Sequence, residues 1–137
     1  MGNALYDQGK LDLAIEKYEE AIRLNPKYST AYSNLGWLNL LIKQYQEAQQ
    51  TLQKLWKLLN GKTSFYAPMN LGHAYLLQQK EADAISWYQK AIQRCEEEKQ
   101  IKEFFQGMQE DYKELKMQEE GIIQETYTAI LQQLKKV

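Results

Sequence analysis

Between Leu11 and Leu24, apolar side chains recur at Leu11, Ala14, Ile15, Tyr18, Ala21, Ile22 and Leu24, the spacing of one broad stripe on an α-helix. Asn25-Pro26 ends it, because the residue before proline avoids the α region and proline has no N–H to donate. A second helix is predicted from Tyr28 or Ser29 to Ile42, with Ser29 or Thr30 as its cap. Lys43-Gln44-Tyr45 turns the chain into a partner helix, Gln46 to Leu59, whose Ala48, Leu52, Leu55, Leu58 and Leu59 face inward. Asn60-Gly61 closes that helix. Ser64 caps the next, about Phe65 to Gln78, which keeps Pro68 in the first turn. After Gln79-Lys80 a further helix starts near Ala82 and runs at least to Cys95. Glu96, Glu97 and Glu98 then either prolong it or open a new helix, since carboxylates suit a helix N-terminus and not a C-terminus. Beyond Lys99, Ile101, Phe104, Phe105, Met108, Tyr112 and Leu115 share a face. Gly121 breaks the pattern, and Ile123, Tyr127, Ile130, Leu131 and Leu134 form a last amphipathic segment. At the other end, Met1 to Tyr6 reads as the second half of a helix followed by a turn at Gln8-Gly9-Lys10.

These elements repeat. Leu71, Gly72, Tyr75, Ala84, Tyr88 and Ala91 stand at fixed offsets that, 36 residues earlier, hold Leu35, Gly36, Asn39, Ala48, Leu52 and Leu55. A further 34 residues back they hold Met1, Gly2, Leu5, Ala14, Tyr18 and Ala21. This pattern, with its terminal Pro26, resembles the tetratricopeptide repeat, a helix-turn-helix unit of about 34 residues. The resemblance implies an all-α fold: a right-handed superhelical solenoid of such repeats. We divide it into a repeat array over 1–98 (a partial repeat 1–28, then repeats 29–64 and 65–98) and C-terminal capping helices over 99–137. Aligning Gly107 as a fourth repeat glycine puts Glu119 where a small alanine belongs, so the signature ends before Lys99. Within the pairs, Gly36 with Ala48 and Gly72 with Ala84 are expected to form the close helix crossings. Tyr18, Leu52 and Tyr88, with Ala21, Leu55 and Ala91, are expected to face the next repeat. The large Leu55 predicts a wider or differently twisted step there. The amino-terminal side reads as uncapped, so the chain is expected either to continue upstream or to self-associate through that open edge.

Composition narrows the function. Seventeen basic against 18 acidic residues leave a net charge of −1, with no electrostatic hold on nucleic acid or acidic membrane. A hydrophobic share of 44% with only two prolines is that of a folded chain. No apolar run is long enough to span a membrane and no export signal is visible. The single cysteine, Cys95, cannot form an internal disulfide, in keeping with a cytoplasmic setting. Catalysis finds little support. His73 is the one histidine, so neither a metal cluster nor a Ser/His/Asp triad can be built around a second, and no metal or cofactor is expected. Gly61-Lys62-Thr63 resembles the end of a phosphate-binding loop, but Trp56 stands where that motif needs glycine and a helix precedes it. Asp7, Glu47, Glu81 and Asp83 read as solvated charge.

In proteins of the resembled family, the first helices of successive repeats line a concave groove for an extended peptide. The matching positions here give Asn3, Tyr6, Ser33, Asn34, Trp37, Tyr66, Met69, Asn70 and His73 as the candidate peptide-binding residues. Leu40, Leu41, Leu76 and Leu77 occupy neighbouring places and are expected to pack inside the array. One subclass holds chaperone tails through a two-carboxylate clamp. Asn3 and Asn34 match its asparagines, but Tyr66 and Asn70 stand where it needs lysine and arginine, so that clamp is not expected. The groove is instead aromatic and aliphatic with amide groups, suited to a partner with apolar anchors. The expected function is a non-catalytic scaffold for a protein or peptide ligand. The rival readings are a structural or oligomerisation module and a regulatory segment of a larger enzyme or signalling protein. A fold-back of the C-terminal helices into the groove is a further alternative, one that would leave no peptide site.

Overall fold

A computed structural model of the chain describes residues 8–136. They form seven helices in the order α1 (Gln8–Leu24), α2 (Ser29–Leu41), α3 (Tyr45–Leu58), α4 (Tyr66–Leu77), α5 (Glu81–Gln93), α6 (Glu98–Glu114) and α7 (Gln124–Lys135). Through α5 each helix packs on the next, and α2 also touches α4 past the intervening α3, the arrangement of stacked helix pairs in a solenoid. The fold is all-α.

The turns share one device. At Lys43, Asn60, Gln79 and Lys116 the backbone takes a left-handed conformation, with φ between 52° and 66°. In each case the next residue's N–H returns to a carbonyl five residues back: Gln44 to Asn39, Gly61 to Trp56, Lys80 to Tyr75 and Met117 to Tyr112, at 2.8–3.1 Å. Such closures satisfy the carbonyls that a helix end leaves free. They explain why polar residues that tolerate solvent, not glycine alone, punctuate the array. Three expected details differ. Gln8, Gly9 and Lys10 belong to α1 rather than to a turn. Neither Ser29 nor Thr30 caps α2, whose N-cap is Tyr28 with no side-chain bond. Ser64 lies one residue before the N-cap of α4, its hydroxyl accepting from the Tyr66 N–H at 3.4 Å. Pro68 is the third residue of α4, where its missing N–H has no helical partner to lose.

The close crossings also differ from expectation. A side chain at Gly36 would meet Leu52 at 2.5 Å, and one at Gly72 would clash with the edge of the Tyr88 ring. The glycines therefore admit the large residue four positions after each alanine, while Ala48 and Ala84 are themselves fully buried. Leu52 and Tyr88 thus pack inside their own pairs. Leu52 also reaches forward, joining Leu55, Ala67 and Leu71 in a small core between α3 and α4, so Leu55 fills that interface.

Glu97 is the N-cap of α6, so the glutamate run opens a helix, its charge against the positive end of the dipole. Gln100 Oε1 accepts from the Glu96 and Glu97 N–H groups at 2.5 and 3.3 Å. Helix α6 packs on α4 and α5, and α7 packs on α5. Phe104, Met108, Tyr112, Tyr127, Ile130 and Leu134 join the same core as Met69, Ala84 and Tyr88. Tyr112 and Tyr127 lie ring to ring at 4.6 Å, and each hydroxyl donates to a backbone carbonyl, Ile122 at 2.5 Å and Met108 at 2.7 Å. The connection between α6 and α7 reaches back to the turns of the array. Glu120 accepts from Tyr45 Oη at 2.9 Å and pairs with Lys43 at 3.2 Å, while Gln79 Nε2 donates to its carbonyl at 3.4 Å. The Tyr45 hydroxyl, then Lys43, hold the Glu120 carboxyl below the usual range.

Candidate functional site

The first helices of the two pairs, α2 and α4, form one wall of a cleft of about 490 Å³. Ser33, Asn34 and Trp37 come from α2; Tyr66, Met69 and Asn70 come from α4. These are six of the nine residues expected from the repeat register. They converge because equivalent positions of stacked pairs face the same side. Asn3 and Tyr6 lie outside the described residues.

The six are not equally available. Tyr66 is 51% exposed and rests on the Phe65 ring at 4.3 Å. Asn34 is exposed, its amide donating to Tyr18 Oη at 3.3 Å. Ser33 is half-buried. Trp37, Met69 and Asn70 are buried, and Trp37 and Met69 also belong to the core. Of the neighbouring leucines, Leu40, Leu76 and Leu77 are buried and Leu41 packs half-buried against them.

His73 sits elsewhere. It is fully buried beneath α6, with Nδ1 at 2.8 Å from Tyr88 Oη and Nε2 at 3.0 Å from Asp111 Oδ2. A neutral ring satisfies both contacts when Nε2–H donates to the carboxylate and Nδ1 accepts from the tyrosine. Burial, ahead of the nearby Tyr127 and Asp111, pushes the Tyr88 hydroxyl well above its ordinary range, so it stays a donor. The expectation that His73 offers a polar group to a ligand is therefore corrected: it ties α4, α5 and α6 together, one turn below the cleft. Its register matched a groove position, but α6 covers it.

The second wall is α6, which contributes Glu103, Gln106, Gly107, Glu110, Asp111 and Glu114. So the C-terminal helices border the groove without filling it. Sequence reasoning missed this wall. Its signal was present: Glu103, Glu110 and Glu114 are spaced i, i+7 and i+11, on the side of α6 away from Phe104, Met108 and Tyr112. An acidic helix face reads as solvated unless its neighbour is known. Gly107 lies in the middle of this wall, where an added side chain would touch only the Met69 thioether end at 3.6 Å. Cys95 is half-buried, its thiol raised first by burial and then by Glu103, which argues against a reactive thiolate. Among the described residues no three His, Cys, Asp or Glu side chains stand close enough to hold a metal ion, and no helix is long and apolar enough to cross a membrane.

Comparison with known proteins agrees with the geometry. Residues 2–40 match the family described as TPR repeat, and residues 69–98 match the family described as tetratricopeptide repeat. The chain belongs to the tetratricopeptide repeat family. It is 39% identical over 61 residues to the mitochondrial import receptor subunit TOM34 of Rattus norvegicus, covering 44% of this chain and 19% of that protein. It is 31% identical over 96 residues to the Hsp70-Hsp90 organising protein of Plasmodium falciparum, covering 66% of this chain and 17% of the relative. With the BBSome complex member BBS4 of Bos taurus it shares 32% identity over 93 residues, 68% of this chain and 17% of the relative. The chain thus spans less than a fifth of each of these proteins. The repeats and these relatives support a role in protein–protein interaction.

Proposed function

We propose that the chain is a non-catalytic binding module that holds a protein or peptide segment in the cleft between α2, α4 and α6, in a cytoplasmic setting. The observation that carries this reading is the convergence of Asn34, Trp37, Tyr66 and Asn70 from two repeats on one concave surface. The exposed Tyr66 ring beside the Asn34 amide offers apolar anchoring and a backbone hydrogen bond at low entropic cost, over a floor formed by Trp37 and Asn70, the mixture that extended segments need. The relatives lend support through their names: an import receptor subunit, an organiser of Hsp70 and Hsp90, and a member of a complex. A two-carboxylate clamp is not part of this reading, since Tyr66 and Asn70 stand where it needs cations and α6 adds negative charge.

Substituting Tyr66 and Asn34, both exposed, is expected to remove binding without harming the fold. Peptides selected on the wild type from a random displayed library should lose at least about tenfold in affinity for the Asn34→Ala, Tyr66→Ala double variant, with unchanged helical circular dichroism, since hot-spot aromatics carry about 2 kcal/mol or more each. Equal affinity would reject the cleft. A second reading, self-association, draws on Leu13 and Leu24 of α1, which are 52% and 71% exposed. A mass that stays that of a monomer as concentration rises would remove it.

A further inference from the structure

We propose that the cleft selects cationic segments, taking a lysine or arginine side chain of an extended peptide against α6. This deepens the reading above and rests on it. Two observations meet in one place. The first is charge: four carboxylates and no lysine or arginine line the cleft, in a chain whose overall charge is only −1. Asp111 is engaged by His73, whereas Glu103 and Glu110 are exposed and form no ion pair among the described residues. Clefts that gather one sign of charge draw in ligands of the other.

The second is independent of charge. Trp37 Nε1 and Asn70 Oδ1 are buried without a hydrogen-bond partner, in residues each 8% exposed that both line the cleft. A buried donor and a buried acceptor left unpaired are costly, and a slight opening of the cleft on binding would let the backbone C=O and N–H of a bound chain meet them. The amide and indole would fix the strand, and the glutamates would choose its side chain. Because the acidic groups are too dispersed for a metal ion, the charge suits a cationic side chain lying along a groove.

The test uses the full chain and acetylated, amidated nonapeptides carrying lysine, arginine, glutamine or glutamate at a fixed central position among neutral residues, read by fluorescence anisotropy. Lysine- and arginine-centred peptides are expected to bind best, with the preference shrinking as salt rises from about 50 to 500 mM, because screening shortens the reach of exposed charges. The Glu103→Gln, Glu110→Gln double variant should weaken the basic peptides about tenfold and leave the glutamine-centred ones unchanged, the order expected for two partly exposed ion pairs. Asn70→Leu should weaken all peptides alike while the helical signal is kept. Equal binding of glutamate- and lysine-centred peptides, or indifference to the double glutamine variant, overturns the charge rule. If such binding is still lost in Tyr66→Ala, the cleft reading stands without it; if Tyr66→Ala also has no effect, both fall. No binding by any peptide overturns both as well. Competition by spermine as strong as that of the basic peptide would show that charge alone is read, against a peptide site.

Discussion

Phe104→Ala is expected to lose about 3–5 kcal/mol of stability, the range for removing a buried aromatic side chain from a packed core. Phe104 is fully buried. It stands edge-on to Phe65 at 6.0 Å and to Phe105 at 5.1 Å, so one ring joins α6 to the residue that opens α4. Its loss leaves a cavity between α6 and the array. Set against a total stability of about 5–15 kcal/mol for a domain, this is a large fraction. The effect should be uneven. Since α6 is the acidic wall, its release removes the charge of the cleft while α2 and α4 keep their stacking. Urea unfolding followed by tryptophan fluorescence and by circular dichroism should separate in the variant and coincide in the wild type.

Gly72→Val is expected to cost about 3 kcal/mol or more by overpacking. The new side chain would clash with the edge of the Tyr88 ring, which is fully buried and anchored through its hydroxyl to His73 at 2.8 Å. The ring has nowhere to retreat without breaking that bond. Gly107→Ala is the contrast within the same fold. Its new methyl meets only the flexible end of Met69 at 3.6 Å, and replacing a mid-helix glycine adds up to about 1 kcal/mol of helix propensity. Thermal melts should therefore fall steeply for the first and hold or rise for the second. Equal melting temperatures would mean that α4 and α5 do not cross at Gly72.

Gly36 and Gly72 show what the sequence made legible. Gly72 stood out because the same offset holds Gly36, and the repeat register placed both at close helix crossings. The register did not say what crosses them. Only packing shows that Leu52 and Tyr88, not Ala48 and Ala84, fill the space. The repeat wall of the cleft was readable for the same reason: Ser33, Asn34 and Trp37 sit one repeat from Met69 and Asn70, and stacked units repeat their faces. The α6 wall was not readable. Its amphipathic period fixes a helix with an acidic side, but the direction in which α6 leaves α5 depends on the Glu97 cap and on Glu120 reaching Lys43 and Tyr45, a contact 75 residues away in sequence. His73 was misplaced through the same gap, since a groove position becomes a core position once Asp111 lies over it.

The central claim is that ligand enters between the repeat wall and α6. The most direct measurement replaces Tyr66 with the photo-crosslinker benzoylphenylalanine and, in a second protein, does the same at Ser86, which is exposed on α5 outside the cleft. Each is irradiated with the peptides selected by the wild type. Crosslinking from position 66 and not from position 86 is the predicted result; crosslinking from 86 alone, or from both alike, would contradict it.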